Sequence, residues 1–300
     1  MSRRATGRGR RERRESRRAP PRRRKRFGQH FLTPAWAQRV VSAIAPEPGD
    51  AFLEVGAGRG EITLPLAATG APVLAIEIDR DLAADLARRA PSNVTILADD
   101  VMKADVLPLL RGLTPQRPPA PEAEASSMKR VRVVGNLPYY IASPILFRLL
   151  ELHQAHAGLF DATVMVQREV ASRLVARPGT KDYGVLTILL ALRARISRVL
   201  ELPQGAFTPA PKVQSTLVRL EFIPPVVRLP DERLFERMVK GLFSRRRKTL
   251  ANALKAFDPL APAVLAIAGF DARRRPETLT LAELGRIAEL LAVLRRPAVL

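Results

Sequence analysis

The segment Glu54-Val-Gly-Ala-Gly-Arg-Gly60 reads as an apolar strand, Ala51–Val55, running into a glycine turn. Glycines there let the chain turn sharply and bring backbone close to a ligand, and in open α/β sheets ligands bind beyond the carboxyl ends of strands. The spacing is G-x-G-x-G rather than the dinucleotide G-x-G-x-x-G, and Glu61 takes the place of the third small residue. A carboxylate at that place opposes a pyrophosphate, so the pattern suits a ligand without phosphates. Glu77, near the end of the next strand, Pro72–Ile78, follows the turn at the spacing of an acid that accepts from both ribose hydroxyls. Asp100 ends the third strand and is placed to accept from an adenine exocyclic amine. Asp99 stands beside it, and the sequence leaves the choice between them open.

A fourth strand, Val131–Val134, runs into Asn136-Leu137-Pro138-Tyr139. Methylating an exocyclic amine is difficult because the nitrogen lone pair is delocalised into the ring. A side-chain amide oxygen and a backbone carbonyl that accept both N–H bonds draw the nitrogen toward tetrahedral geometry and free that pair. Pro138 stiffens the segment and offers no competing N–H. Tyr139 presents an aromatic face on which an extruded base can stack. The glycine turn and the strand-end acceptors fit S-adenosylmethionine, which carries adenine, ribose and a sulfonium but no phosphate.

The elements that must hold these residues alternate. A helix from Pro34 to about Ala45 precedes the first strand, and helices near 61–69 and 80–89 connect it to the second and third strands, the third being Val94–Ala98. Further on come a helix over Pro144–Leu152, a fifth strand at Ala162–Val166, helices at 168–176 and 184–193, and two late strands, Ile196–Leu202 and Thr216–Phe222. Alternation with apolar strands predicts a mostly parallel sheet covered on both faces, and the two late strands, lacking a crossover helix, predict an antiparallel edge. After Pro224-Pro225 the pattern is helical, at about 231–256, 259–268 and 280–294. The predicted organisation is a disordered Arg-rich tail (1–26), an α/β domain (27–222) and a small helical domain (223–300), with a surface insertion at the Pro/Ala-rich residues 114–127.

Composition narrows the classes. The 300 residues carry 50 Lys+Arg against 29 Asp+Glu, a formal charge of +21. Residues 1–26 hold 14 Lys/Arg and two Glu, so +12 sits there and +9 on the remainder. Such a balance predicts a polyanionic partner. With no cysteine, disulfide scaffolds and thiolate chemistry are excluded. The three histidines (His30, His153 and His156) make a His-rich metal site unexpected. The longest apolar run, within Tyr183–Leu192, is half a membrane span, and no secretory h-region is present, so a soluble cytoplasmic protein is expected.

In combination, Phe27-Gly-Gln-His-Phe-Leu32, Glu54–Gly60, Glu77-Ile-Asp79, Asn136-Leu-Pro-Tyr-Tyr-Ile-Ala-Ser-Pro144 and Phe207-Thr-Pro-Ala-Pro-Lys-Val213 resemble the ribosomal RNA adenine N6-dimethyltransferases, the KsgA type acting on small-subunit RNA. The resemblance covers about residues 24–296 and extends to Phe243–Leu254. It implies a Rossmann-like methyltransferase fold with a seven-stranded sheet and a helical C-terminal domain. It implies dimethylation of two adjacent adenines near the 3′ end of 16S rRNA, within a pre-ribosomal particle, by a monomer without metal. The cofactor contacts it implies are His30 and Leu32, largely through backbone, with Gly56, Glu77, Asp100 and Asn136; Asn136 through Tyr139 would form the amine site. Phe207 would pack near the target base, and Arg245, Arg246, Arg247 and Lys248 would contact rRNA.

This chain departs from the family at His30, often Asn, at Tyr140, also often Asn, in the length of 114–127 and in the Arg tail. Two alternatives remain. One is a large-subunit (23S) rRNA adenine methyltransferase conferring macrolide resistance, whose members commonly carry Asn-Ile-Pro-Tyr. The other is a non-catalytic RNA-binding assembly or transcription factor on the same scaffold.

Overall fold

The computed structural model describes residues 29–113, 130–155 and 159–295. The expected tail and the 114–127 insertion lie outside them.

The chain begins with a short strand, β1 (Phe31–Leu32), and helix α1 (Pro34–Ile44). Pro34 suits α1 because the first helical N–H has no intrahelical partner. Strands and helices then alternate as β2 (Asp50–Val55), α2 (Thr63–Ala67), β3 (Val73–Ile76), α3 (Arg80–Ala87), β4 (Val94–Leu97), α4 (Leu107–Leu113), β5 (Arg130–Asn136), α5 (Ala142–Ala155), β6 (Leu159–Gln167), α6 (Arg168–Leu174) and α7 (Val185–Ala191). β7 (Ala194–Leu202), β8 (Phe207–Thr208) and β9 (Ser215–Phe222) follow, and the chain closes with α8 (Glu232–Phe243), α9 (Leu250–Lys255), α10 (Ala261–Ala268) and α11 (Leu281–Leu294).

Seven strands form one sheet in the order β4-β3-β2-β5-β6-β9-β7. β4, β3, β2, β5 and β6 are parallel, and β3, β2, β5 and β6 carry the buried apolar runs of a sheet covered on both faces. β9 inserts antiparallel between β6 and β7, which gives the expected antiparallel edge. The order reverses between β2 and β5, and that switch point opens the crevice in which open α/β sheets bind ligands. One apolar cluster, with Leu53, Val133 and Leu146, fills one face of the sheet; a second, with Val40, Phe52 and Leu66, fills the other. At the opposite end of the strands, Arg132 is buried between Asp50 (3.0 Å) and Asp161 (2.9 Å) and donates to the Ile44 and Ala45 carbonyls, so its charge is matched on every side.

A third apolar cluster joins α8–α11 to Tyr183, Ile188 and Leu189 of the α7 region. The helix expected over 231–256 is two helices. Ser244 Oγ donates to the Gly241 carbonyl at 2.7 Å, the chain turns through Arg245–Lys248, and Thr249 caps α9 by accepting from Asn252 N. Four consecutive cations repel one another in a helix, and the hydroxyls on either side satisfy the freed backbone groups.

Sequence periodicity could not reveal β1 and β8. Each has two residues, and they pair antiparallel as Phe31↔Thr208 and Leu32↔Phe207. This ribbon ties the start of the described chain to the loop ahead of β9.

Candidate active site

The strand ends at the switch point enclose a cleft of about 1030 Å³, its mouth included. Its walls come from residues 29–32, the glycine turn after β2, the ends of β3 and β4, and residues 136–141 after β5.

Gly56 begins the turn at φ +76°, a conformation other residues rarely adopt. On the facing strand, a Cβ on Gly135 would stand 2.3 Å from the Val55 carbonyl oxygen. Only glycine there lets β5 lie so close to β2 and deliver Asn136 next to the turn. The motifs of the sequence did not include Gly135; its place directly before Asn136 was the available signal.

Glu77 is 5% exposed. One of its oxygens accepts from Gly58 N at 2.7 Å and the other from Asp79 N at 2.9 Å. The carboxylate thus braces the glycine turn and keeps further lone pairs for a ligand. Burial pushes its pKa up, against the lowering effect of these N–H groups. Glu54, 1% exposed, accepts from the Thr63 hydroxyl. Burial without a cationic partner pushes Glu54 up to about 8, so it is protonated at neutral pH. Glu61 also lines the cleft; burial raises it, and it accepts from Arg59 N at 3.2 Å.

Asp99 and Asp100 both reach the cleft. Asp99 is exposed and accepts from Asp100 N at 2.7 Å, whereas Asp100 is half-buried and accepts from Met102 N at 3.0 Å. Both carboxylates are held by a backbone N–H, and Asp100 is the more shielded of the two. Ile78 and Val101, which follow Glu77 and Asp100, add apolar wall; Ile78 stood inside the Glu77–Asp79 motif without a role, and Val101 stood in none.

Asn136 Nδ2 donates to the His30 carbonyl at 2.8 Å. A carbonyl only accepts, so the amide is oriented with its nitrogen toward residue 30, and its oxygen accepts no hydrogen bond among the described residues. Leu137 is buried, and its N–H donates to the Met165 carbonyl at 3.1 Å. Tyr139 lies against the His30 ring, with centroids 5.9 Å apart and planes at 22°, and its hydroxyl is 2.8 Å from Ser215 Oγ. Burial raises the Tyr139 pKa, so the ring stays neutral. His30 Nδ1 donates to the Pro209 carbonyl at 2.7 Å, which closes the β1–β8 ribbon over this corner.

His30, Leu32, Gly56, Glu77, Asp100 and Asn136 through Tyr139 therefore converge on one cleft. Phe207 does not. It is 3% exposed, packs in the apolar core with Leu32, and is not in the lining of the cleft. Its segment reaches the site through Pro209 instead. Arg245–Lys248 lie on the turn between α8 and α9; Arg245, Arg247 and Lys248 are exposed, while Arg246 donates to the Lys181 carbonyl at 2.9 Å.

Among the described residues, five carboxyl side chains and no lysine or arginine line the cleft of this strongly basic chain. A phosphate ligand would find no cation in that lining. A cationic nucleoside would find acceptors and apolar walls, which fits a sulfonium cofactor.

Known proteins are similar to this chain along most of its length. The profile of the ribosomal RNA adenine dimethylase family matches residues 21–290. The chain is 42% identical over 272 residues to Ribosomal RNA small subunit methyltransferase A of Aromatoleum aromaticum, covering 90% of this chain and 94% of that one. It is 40% identical over 283 residues to the protein of the same name from Pseudomonas fluorescens, covering 92% and 96%. Among solved structures, a dimethyladenosine transferase from Plasmodium falciparum superposes with a TM-score of 0.67 at 23% identity, over 89% of this chain and 98% of that one. The 23S rRNA methyltransferase ErmE superposes with a TM-score of 0.60 at 26% identity, over 87% and 99%. The sheet order, the acceptor-lined cleft and a match along nearly the whole length lead to one assignment: the chain belongs to the ribosomal RNA adenine dimethylase family.

Proposed function

We propose that this protein transfers methyl groups from S-adenosylmethionine to the N6 amines of two adjacent adenines near the 3′ end of 16S rRNA, in a pre-30S particle in the cytoplasm. The observation that carries the chemistry is the Asn136 amide, held by the His30 carbonyl with its oxygen free at the cleft. The small-subunit substrate is supported by relatives about 40% identical over about 90% of the chain that bear that name.

S-adenosylmethionine, when bound, supplies an electrophilic methyl on a sulfonium. Glu77 would accept from its ribose hydroxyls and Asp100 from its adenine amine, with the apolar side chains of Ile78 and Val101 beside them in the cleft lining. Residues 29–32 cover the cleft and exclude water. The Asn136 oxygen and the Leu137 carbonyl accept the two N6–H bonds of the target adenine, so its lone pair points away from the ring. Tyr139, fixed by Ser215 and His30, stacks on the target base. Rate enhancement comes from orientation and from acceptors fixed in advance. The proton of the product ammonium passes to water, so no side-chain base is required.

The helical part, expected at 223–300, and its Arg245–Lys248 turn provide the rRNA contact. Transfer of labelled methyl groups to small and large ribosomal subunits from unmodified cells tests the assignment. Label on adenines near the 3′ end of the small subunit is expected; label on the large subunit alone would replace it with the resistance-type activity, and no label with a non-catalytic role.

A further inference from the structure

We propose that Tyr140 is a second base-binding position, a stacking platform for the nucleobase next to the target adenine; this rests on the function proposed above. Tyr140 is 67% exposed, more than any other large apolar or aromatic side chain with notable exposure among the described residues. Exposure alone is ordinary for a single side chain, but this ring stands in the lining of the ligand cleft, open to whatever enters there.

Three observations fix what it would hold. First, Tyr140 lines the cleft beside Tyr139, so whatever enters next to Tyr139 meets it. Second, its backbone is held in place. Tyr139–Ile141 form a single 3₁₀ turn between Pro138 and α5, closed by Ile141 N donating to the Pro138 carbonyl at 3.1 Å. A tyrosine has only two side-chain torsions to lose when a planar ligand stacks on it. Third, the two tyrosines have separate environments. Tyr139 is half-buried and engaged by His30 and Ser215, whereas the Tyr140 side chain makes no hydrogen bond or ring contact among the described residues. One RNA strand that delivers a base to Tyr139 must carry its neighbour past the rim, where an unpartnered π-face is waiting. A stacking contact reads no base edge, so it serves equally when either adenine of the pair is the one inserted.

The test uses the full-length protein with Tyr140→Ala, Tyr140→Phe and Tyr140→Trp. Cofactor affinity is measured by calorimetry, and affinity for unmethylated small ribosomal subunits by sedimentation. Tyr140→Ala should raise the dissociation constant for the subunit by about 5- to 150-fold, the range expected for one base–aromatic stack. Tyr140→Phe and Tyr140→Trp should stay within about twofold of wild type, since the ring and not the hydroxyl carries the contact. Cofactor affinity should be the same in all four proteins. Unchanged subunit affinity in Tyr140→Ala overturns the proposal, as does a loss in Tyr140→Phe equal to that in Tyr140→Ala, or a loss of cofactor affinity. A wild-type protein that binds cofactor but leaves small subunits unmethylated would instead overturn the parent function.

Discussion

Asn136 Nδ2 and the His30 carbonyl, 106 residues apart in sequence, are joined by a 2.8 Å hydrogen bond. That bond decides which face of the amide looks into the cleft. It also makes the segment carrying His30 part of the amine site, although its side chain takes no chemical role in the proposed transfer.

In the proposed mechanism, replacing Asn136 by Ala removes an acceptor that acts on the developing charge. Methyl transfer is expected to fall by at least about 10²-fold, the scale for loss of one preorganised group. Cofactor affinity should weaken only modestly, because Glu77 and Asp100 remain. Single-turnover rates together with calorimetry separate the two, and full activity in Asn136→Ala would remove the mechanism.

Glu77→Ala should raise the cofactor dissociation constant by about tenfold or more. It deletes the proposed ribose acceptor and leaves Gly58 N and Asp79 N without their partner, each loss worth about 1–3 kcal/mol if the group stays buried. Glu77→Gln, which keeps one acceptor oxygen, should lie between. Equal affinities in wild type and Glu77→Ala would refute the ribose role.

Glu54 gives a pH dependence of known sign. Its folded pKa, about 8, lies above the ordinary 4.5, so between these values the unfolded chain has lost a proton that the folded chain keeps. Its contribution to stability is complete below about 4.5 and declines as pH rises toward 8. Glu61 and Glu77, also raised by burial, act in the same direction. Thermal melts from pH 5 to 9 should show a smaller fall in Tm for Glu54→Gln than for wild type; parallel curves would contradict the buried, protonated carboxyl.

Gly135→Ala places a methyl 2.3 Å from the Val55 carbonyl oxygen, in backbone that cannot swing away. Overpacking of this kind costs about 1–3 kcal/mol. The strain falls between the glycine turn and Asn136, so Tm and cofactor affinity should drop together. A variant with wild-type values for both would show that β5 has room to shift.

Changing Arg245, Arg247 and Lys248 together to Ala should flatten the salt dependence of subunit binding, by about 0.7–0.9 in log–log slope for each phosphate that is no longer neutralised. Cofactor affinity and Tm should be unaffected, since all three side chains are exposed. An unchanged slope would place the rRNA contact elsewhere.

The sequence by itself determined the strand-end logic: apolar runs ending in Glu54–Gly60, Glu77, Asp100 and Asn136 define a parallel sheet with one crevice, because strand direction and hydrophobic period are local properties. It also separated the helical C-terminal region by its change of period. Tertiary structure alone decided the β1–β8 ribbon, since two-residue strands have no period to read and their pairing spans the chain. It turned Phe207 into the core, broke the helix at Arg245–Lys248, brought Gly135 within contact distance of Val55, and oriented the Asn136 amide. Each of these depends on which distant backbone atom stands opposite a given side chain, and that is fixed only when the strands have packed.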